Sequence, residues 1–358
     1  MPRTDKPRSV SIRDVAELAG VSLGSASRVI NKVENVTPET RERVERAIAQ
    51  LGYRPNHAAQ SLRLRSTRTI GCMLTDVTNP LYGKLFHAVE ERFRRAGYMV
   101  LLANSLNSAE REIDILATFK SRGMDGALIA PGNERDRAVV QAVEQLDIPT
   151  VILDRDMATS RDRVQFDHVP GMRSVVSYLI GLGHRHIALV VAQVRNRPMR
   201  RRIEGFRAGF RDHGLEADDD LIVQLPTSMS SAFSAISVLL ARPQRPTAIV
   251  AMGTSILNET LNAISNHRLR IPEDISVVSI GDPDFARSYT PPISSLRVDV
   301  DVAAEQSVAL LLDRVQHRDL SPPRSVKVAS DFILRQSCGP APGWMKRLLR
   351  QGSVAMCY

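Results

Sequence analysis

The sequence of 358 residues has few cysteines, few aromatic side chains and no long apolar run. Its three cysteines, Cys72, Cys338 and Cys357, are too few and too widely spaced to predict a disulfide framework or a zinc knuckle. The absence of any run of 18 apolar residues excludes a membrane span. Residues 1–10 are basic but precede no apolar export segment, so we expect a cytoplasmic protein.

Catalytic signatures are missing as well. The chain has no Gly-x-Ser-x-Gly elbow, no His-Glu-x-x-His pair and no Gly-rich phosphate loop. His184 and His186 alternate at the start of a predicted strand, and no further metal-ligand spacing accompanies them. We therefore interpret both histidines as structural, and we predict that the protein is not an enzyme and holds neither a metal nor another cofactor.

Positive charge is concentrated at one end of the chain. The whole sequence carries a net charge of +9, with 48 Lys and Arg against 39 Asp and Glu. Residues 1–68 contain 13 of the basic and 7 of the acidic side chains, whereas the remaining 290 residues are close to neutral. A basic head on a nearly neutral body predicts that the head binds a polyanion such as double-stranded DNA. The alternative is a solvated basic tail.

The head has periodic apolar residues, which argues against a mere tail. Residues 12–19 read as a short helix capped by Ser11, and Gly20 follows where a tight turn needs no Cβ. A second helix, residues 23–30, is predicted after this turn. The spacing is that of a helix-turn-helix, although similar helix pairs also occur in proteins that do not bind DNA.

The outward face of the second helix carries the candidate DNA contacts. Among them, Arg28 can bond guanine with two hydrogen bonds in the major groove, and the hydroxyl and amide side chains can reach phosphates or base edges. The candidates are Ser22, Leu23, Gly24, Ser25, Ser27, Arg28 and Asn31. A third helix is predicted over residues 38–51, and a short fourth helix over residues 56–64 is too short to be stable alone.

Several segments in order resemble the LacI/GalR family of bacterial repressors. The similarity covers roughly residues 11–338. The matching segments are residues 12–22 (IRDVAELAGVS), 27–31 (SRVIN), 36–41 (VTPETR), 51–56 (LGYRPN), 183–188 (GHRHIA), 271–277 (IPEDISV) and 289–292 (YTPP).

This resemblance implies a repressor that binds a palindromic operator as a homodimer. Residues 56–64 would form a hinge helix that contacts DNA through Asn56, His57 and Leu62. Leu62 would enter the minor groove and kink the duplex, as apolar wedges do. Considered alone, Leu62 could equally pack against the third helix.

The body, residues 69–338, alternates strand-like and helix-like segments twice over. This pattern predicts two doubly wound parallel α/β subdomains with a cleft between them. The resemblance adds that the body is similar to a periplasmic sugar-binding protein, in which the chain would cross between halves near residues 166, 298 and 326. The expected fold is therefore an all-α helix-turn-helix head joined to a periplasmic-binding-protein-like α/β core.

These expectations divide the chain into five regions. The divisions are a basic tail at 1–10, the helix-turn-helix at 11–55, a hinge and linker at 56–68, the effector domain at 69–338 and a C-terminal tail at 339–358. Within the effector domain, the first subdomain comprises about 69–166 and 299–325, and the second about 167–298 and 326–338. Residues 344–349 are amphipathic, but no heptad repeat follows.

Side chains that follow predicted strands are the candidates for binding a small-molecule effector, because ligands bind at the carboxyl ends of parallel strands. Each could instead cap a helix or be a surface charge. We expect a sugar, a sugar phosphate or another small metabolite. The candidates are Asp76, Asn79, Tyr82, Asp154, Arg155, Asp167, Arg202 and Asp282.

Two departures from the family pattern affect the second half of the cleft. Pro283 stands where the family often has a ligand-binding aspartate, and Gly253-Thr254 stands where it often has Asn-Asp. Residues 195–202 hold five arginines, which suggests an anionic effector, although a solvated basic loop would look the same. A regulator that needs no small molecule is a second interpretation, and a solute-binding protein or α/β enzyme a third.

Overall fold

The computed structural model describes residues 10–31, 35–53, 66–225, 232–319 and 321–344. The chain divides into two compact units: a head that ends at Thr67 and a body that begins at Arg68. No helix in these described ranges is long and apolar enough to cross a membrane.

The head contains three helices with well-defined caps. The helices are α1 (Ile12–Ala19), α2 (Leu23–Ile30) and α3 (Pro38–Leu51). Ser11 and Asp14 form the predicted capping box at the start of α1, so two otherwise unsatisfied backbone N–H groups are bonded. Gly20 ends α1 at φ +60°, a left-handed conformation that favours glycine. The predicted bounds of all three helices are confirmed.

The three head helices enclose a small core. Val15, Val29 and Val44 are at most 5% exposed and contact one another across the three helices. The Arg43 side chain of α3 donates a hydrogen bond of 2.7 Å to the backbone oxygen of Gly20, which ties the third helix to the turn. This packing leaves the outer face of α2 uncovered within the head.

The body consists of two lobes, each with a six-stranded sheet between helices. The first lobe contains β1 (Thr69–Leu74), α4 (Pro80–Arg95), β2 (Met99–Asn104), α5 (Ala109–Ser121), β3 (Gly126–Ile129), α6 (Arg137–Glu144), β4 (Thr150–Leu153), β5 (Asp162–Phe166), α12 (Val300–Gln316) and β11 (Ser325–Val328).

The second lobe has the same kind of layering. It contains α7 (His168–Gly181), β6 (Ile187–Ala192), α8 (Arg197–Arg211), β7 (Ile222–Leu225), α9 (Ala232–Leu240), β8 (Ala248–Met252), α10 (Gly253–Asn266), β9 (Ser276–Ile280), α11 (Asp284–Ser288), β10 (Ser294–Val298) and β12 (Ser330–Ile333).

Strand order confirms the doubly wound fold. The first sheet runs β11-β5-β4-β3-β1-β2 and the second β12-β10-β9-β8-β6-β7. Every pairing is parallel except that of β12 with β10, which is antiparallel. The central strands of both sheets are buried on both faces, so their apolar runs are continuous rather than alternating.

The chain crosses between lobes after β5, after β10 and between β11 and β12. The first two crossings match the expectation of 166 and 298. The third lies at Ala329 rather than near 326, because residues 325–328 pair with β5 in the first sheet. Ser330 then starts the antiparallel pairing with β10 in the second sheet.

Residues 339–344 of the expected C-terminal tail are docked on the second lobe. The buried ring of His184 bonds Thr247 Oγ1 at 2.8 Å and both Ser276 Oγ and the Gly339 oxygen at 3.0 Å. Ala341 donates its backbone N–H to the Leu182 oxygen at 2.9 Å. His184 thus has the structural role expected of it, and the segment that it holds belongs to the lobe.

Candidate nucleic-acid interface and ligand cleft

The recognition face of α2 combines caps with exposed side chains. Ser22 caps the helix, since its Oγ accepts a hydrogen bond of 3.1 Å from the backbone N–H of Ser25. At the other end, the Asn31 amide donates to the backbone oxygen of Ser27 at 2.8 Å. Leu23 is 45% exposed, so an apolar side chain stands next to the N-cap without intramolecular cover in the head.

Arg28 and Gly24 lie together on this exposed face. A Cβ built at Gly24 would be 3.8 Å from Arg28 Nη2, which places the guanidinium along the helix towards its N-terminus. In helix-turn-helix proteins the N-terminal residues of the second helix meet the base edges. Asn56, His57 and Leu62 lie outside the described residues.

A cleft of about 490 Å³ separates the two lobes of the body. It is formed at the carboxyl ends of the strands of both sheets, as expected for parallel α/β units. Among the predicted effector contacts, those that line it are Asp76, Asn79, Tyr82, Asp154, Arg155, Arg202 and Asp282. Asp167 is not part of the lining, because it sits at the first turn of α7, where its backbone N–H bonds Val328.

At the mouth of the cleft, two of these side chains shape a turn. Asp76 Oδ1 accepts hydrogen bonds from the backbone N–H of Thr78 at 2.9 Å and from its hydroxyl at 2.7 Å. Asn79 caps α4 by accepting from the N–H of Leu81 at 3.1 Å. The helix-cap alternative is therefore correct for Asn79, whatever else it does.

Asp154 is buried at the floor of the cleft, where three neighbouring groups bond its carboxylate. Its carboxylate bonds His168 Nε2 at 2.8 Å, Arg197 Nη1 at 2.5 Å and the N–H of Phe166 at 3.2 Å. Burial alone would raise the pKa of Asp154, but His168 and the arginines lower it below its ordinary value. Burial lowers the pKa of His168, against the pull of Asp154.

The guanidinium donors of Arg155 are likewise occupied by hydrogen bonds within the protein. Its side chain is 1% exposed and donates to the backbone oxygens of Pro131 and Asp154 and, at 3.1 Å, to the hydroxyl of Tyr82. A guanidinium held at several points fixes the Tyr82 ring against the floor. Arg155 and Tyr82 therefore shape the cleft more than they offer free donors to it.

Asp282, on the second lobe, is an ion-pair partner of two arginines. Its oxygens lie 2.8 Å from Arg287 Nη2 and 2.9 Å from Arg335 Nη1. Burial opposes ionisation, but hydrogen bonds from Arg335 and Arg287 keep the pKa of Asp282 below its ordinary value. The next residue, Pro283, lines the cleft without any side-chain donor or acceptor. The buried Asp282 Oδ1 nevertheless has no hydrogen-bond partner among the described residues.

Arg202 differs from the other charged residues of the floor. Its Nε is buried and has no hydrogen-bond partner among the described residues. Burial lowers the pKa of Arg202, and neighbouring Arg155 adds to the shift, while Asp154 and Tyr82 oppose it. A desolvated guanidinium aimed into a cleft can bind an acceptor with two hydrogen bonds.

Two arginines of the arginine-rich segment pair with carboxylates of the protein itself. Arg197 and Arg200, at the start of α8, reach across to the first lobe, where Asp156 and Glu134 are their partners together with Asp154. These contacts could not be predicted from local sequence, because the carboxylates lie on different loops 41 or more positions away along the chain. Arg201 instead pairs with Glu204 along its own helix at 2.8 Å.

Two family models match the chain. One, described as bacterial regulatory proteins of the lacI family, matches residues 11–56. The other, described as a periplasmic binding protein-like domain, matches residues 176–338. The first match covers the head helices, and the second covers most of the second lobe together with α12 and β11 of the first lobe.

Curated relatives extend over almost the whole chain. The ribose operon repressor of Escherichia coli strain K12 is 31% identical over 317 residues, which are 88% of this chain and 96% of the relative. The HTH-type transcriptional repressor PurR of Haemophilus influenzae strain PittEE is 27% identical over 329 residues, or 91% of this chain and 98% of the relative.

Solved structures share the fold. The lac repressor dimer bound to operator and the anti-inducer ONPF has a TM-score of 0.81 at 26% identity, covering 93% of this chain and all of that one. A complex of the transcriptional regulator CelR with cellobiose has a TM-score of 0.69 at 26% identity, covering 92% of this chain and 99% of that one.

Proposed function

The chain belongs to the LacI family of bacterial regulatory proteins and is a DNA-binding transcription regulator; we propose that it is a cytoplasmic repressor that reads a palindromic operator as a homodimer. The observation that carries this proposal is a helix-turn-helix with an uncovered recognition face on a two-lobed body. We assign residues 11–55 to DNA binding, 56–68 to the hinge and linker, and 69–344 to effector sensing.

Base recognition is proposed to centre on Arg28. It lies on the exposed face of α2, and an arginine that bonds guanine O6 and N7 contributes about 1–3 kcal/mol of discrimination against a wrong base. Ser22, Ser25, Ser27 and Asn31 would hold the helix against phosphates and neighbouring bases, and Leu23 would contact a thymine methyl or sugar. We also propose hinge contacts by Asn56, His57 and Leu62.

Selection of genomic DNA fragments by the purified full chain tests this proposal. We expect a palindromic consensus, whose two half-sites match the twofold symmetry of a dimer. Enrichment without a consensus would contradict the proposal, because it would leave only phosphate contacts. The genes next to the recovered operators would then narrow the class of effector.

The edge of the first sheet is the proposed dimer contact. Strand β2 is an edge strand, and four apolar side chains on it or just after it are exposed: Met99 by 66%, Leu101 and Leu102 by 40%, and Leu106 by 55%. Edge strands with apolar side chains invite pairing with another chain. A second copy fits best, since the similar lac repressor structure is a dimer.

Charge introduced at this edge tests the dimer. Leu102→Glu together with Leu106→Glu should convert the dimer into monomers in sedimentation equilibrium and weaken operator binding. Val238→Glu is the matched control, because Val238 is 66% exposed on the second lobe, away from β2. A double variant that remains dimeric would place the contact elsewhere.

The effector is proposed to be a small anion, a sugar phosphate or a carboxylate. Neutral sugars are recognised through hydroxyl groups that need free carboxylate acceptors, whereas the Asp154 carboxylate is already bonded by Arg197 and His168. Arg202 provides the opposite: guanidinium donors in the cleft, one of them buried without a partner in the described structure. Bidentate binding of a carboxylate or phosphate matches this geometry.

Isothermal titration distinguishes the ligand classes. A neutral pentose, its phosphate and the corresponding sugar acid are compared on the full chain. We expect binding of an anionic member that is lost in Arg202→Gln and kept in Arg201→Gln, whose side chain pairs along the helix surface. Binding of the neutral sugar alone would rule out the anion.

A regulator that needs no small molecule is the second candidate. The observation that favours it is the set of ion pairs by which side chains of the two lobes bind each other directly. If no metabolite changes the operator affinity while sequence-specific binding persists, this candidate replaces the first. Truncation of residues 1–64 abolishes operator binding under both.

A further inference from the structure

Two arginines of the second lobe are bound by three carboxylates of the first lobe. Arg197 lies 2.5 Å from Asp154 Oδ1 and 3.2 Å from Asp156 Oδ1. Arg200 lies 2.6 Å from Glu134 Oε1 and 3.1 Å from Asp156 Oδ2. Both arginines are on the first turn of α8, so one rigid element makes all four contacts across the cleft.

Three of the five side chains in this group are buried from solvent, whereas Arg200 is 29% and Asp156 32% exposed. The side chains of Arg197 and Asp154 are both 6% exposed, and that of Glu134 is 0% exposed. In such surroundings the attraction between opposite charges is screened far less than at the surface. Separating the pairs without letting water in would leave uncompensated charges.

First-lobe hydrogen bonds hold the carboxylates in position before the arginines arrive. Glu134 Oε2 accepts the backbone N–H of Asp156 at 2.8 Å, and Asp156 Oδ1 accepts from Gln165 Nε2 at 3.1 Å. Asp154 accepts a hydrogen bond from the Phe166 N–H at the end of β5, also in the first lobe. The conformational entropy of ordering these groups is therefore already spent within the first lobe, which favours closure.

Arg197 also satisfies backbone at the crossing between lobes. Its Nη1 donates to the backbone oxygen of Phe166 at 2.9 Å, at the end of β5 where the chain leaves the first lobe. The same guanidinium thus binds the hinge strand and a carboxylate beside it. Rotation of the lobes about this crossing would have to break both contacts.

We propose that Arg197 and Arg200, bound by Glu134, Asp154 and Asp156, form an ionic clasp that closes the two lobes of the body in the absence of a ligand. This inference rests on the two-lobed cleft of the proposed function. Its consequence concerns regulation, because a ligand shifts a conformational equilibrium only by its differential affinity for the two states. An effector that favours the closed form would therefore shift this equilibrium little. An effector that changes the conformation must bind the open form more tightly.

The interlobe distance of the ligand-free full chain tests the clasp. Spin labels are attached at Glu110→Cys on the first lobe and Ser255→Cys on the second, in a chain with Cys338→Ser and Cys357→Ser that retains the buried Cys72. Labelled chains are diluted tenfold with unlabelled ones, so that pairs within one chain dominate. We expect one narrow distance distribution.

Arg197→Gln with Arg200→Gln should broaden this distribution and lengthen its mean. Arg200→Gln alone, at a side chain 29% exposed, removes two of the ion pairs and should give a smaller shift in the same direction if the double variant folds poorly. Arg201→Gln, one residue along the helix, should leave the distribution unchanged. Distributions identical to that of the unsubstituted chain in both clasp variants would overturn the inference. The measurement uses neither DNA nor effector, so its failure leaves the proposed function intact.

Discussion

For single carboxylates of the cleft, the sequence predicted the position in the fold but not the bonding partners. The sequence placed Asp154 and Asp282 correctly at strand ends, because the end of a parallel strand can be recognised from a local apolar run. Their partners could not be predicted in the same way. Arg197 reaches Asp154 from 43 positions along the chain, and Arg335 reaches Asp282 from 53. Hydrogen bonds from such distant arginines depend on the tertiary fold and cannot be read from the local sequence.

Removing the carboxylate of Asp154 should destabilise the body strongly. Asp154→Asn leaves Arg197 buried without its main counter-charge, a loss of about 3–5 kcal/mol for a buried pair. Denaturant unfolding of the full chain measures this loss. Asp147→Asn is the matched control, since it breaks an exposed pair with Lys120 and should change stability little. Equal losses in the two variants would contradict the burial argument.

Protonation of His184 should make the second lobe sensitive to acid. Burial lowers the pKa of His184 from 6.5 to about 4, against the opposing effect of the hydrogen bond that its ring donates to the Gly339 oxygen. The unfolded chain therefore binds more protons between these values, and the free energy of unfolding falls as the pH drops from 6.5 to 4. The loss reaches up to about 3 kcal/mol and is absent above pH 6.5.

Denaturant unfolding at several pH values, compared between the unsubstituted chain and His184→Gln, isolates this contribution. The variant should be less stable at neutral pH but lose less further stability between pH 6.5 and 4, because its amide does not titrate. Parallel pH profiles for the two proteins would show that His184 does not carry the effect.

At the scale of elements, helices were predicted better than strands. Caps and glycine stops fix helix ends locally, and α1, α2 and α3 have the predicted bounds. Strand β5 is harder to recognise from sequence, because it contains Asp162 and Arg163 among its apolar residues. The structure explains this exception: Asp162 is buried against Arg314 at 2.8 Å, a partner on α12 that local sequence does not reveal.

Gly24 in the recognition helix offers a clean test at this scale. A Cβ there meets no atom closer than 3.8 Å, so alanine fits without a clash. Gly24→Ala should stabilise α2 by up to about 1 kcal/mol, because glycine is a poor helix former. Thermal unfolding of the head in the full chain measures this gain. A lower melting temperature of Gly24→Ala than of the unsubstituted chain would contradict this prediction.

For the molecule as a whole, the fold was predicted mainly from the order of strands and helices along the chain. Two rounds of alternating strands and helices indicated two parallel sheets, and both are present. The ion pairs across the cleft were not predictable, since each depends on how the two lobes close. Gly253 and Pro283 depart from the family pattern, and both lie on the second-lobe side of the cleft, as the sequence indicated. The sequence did not indicate which groups stand in for the polar side chains that the family has there.

Operator affinity of the full chain and of Arg28→Ala is the most direct test of the central claim. Both are titrated against the selected palindrome and a scrambled duplex at two salt concentrations. We predict that Arg28→Ala loses about 1–3 kcal/mol on the palindrome and little on the scrambled duplex, while both proteins weaken with salt. Equal affinity of the unsubstituted chain for the two duplexes would contradict a sequence-specific regulator.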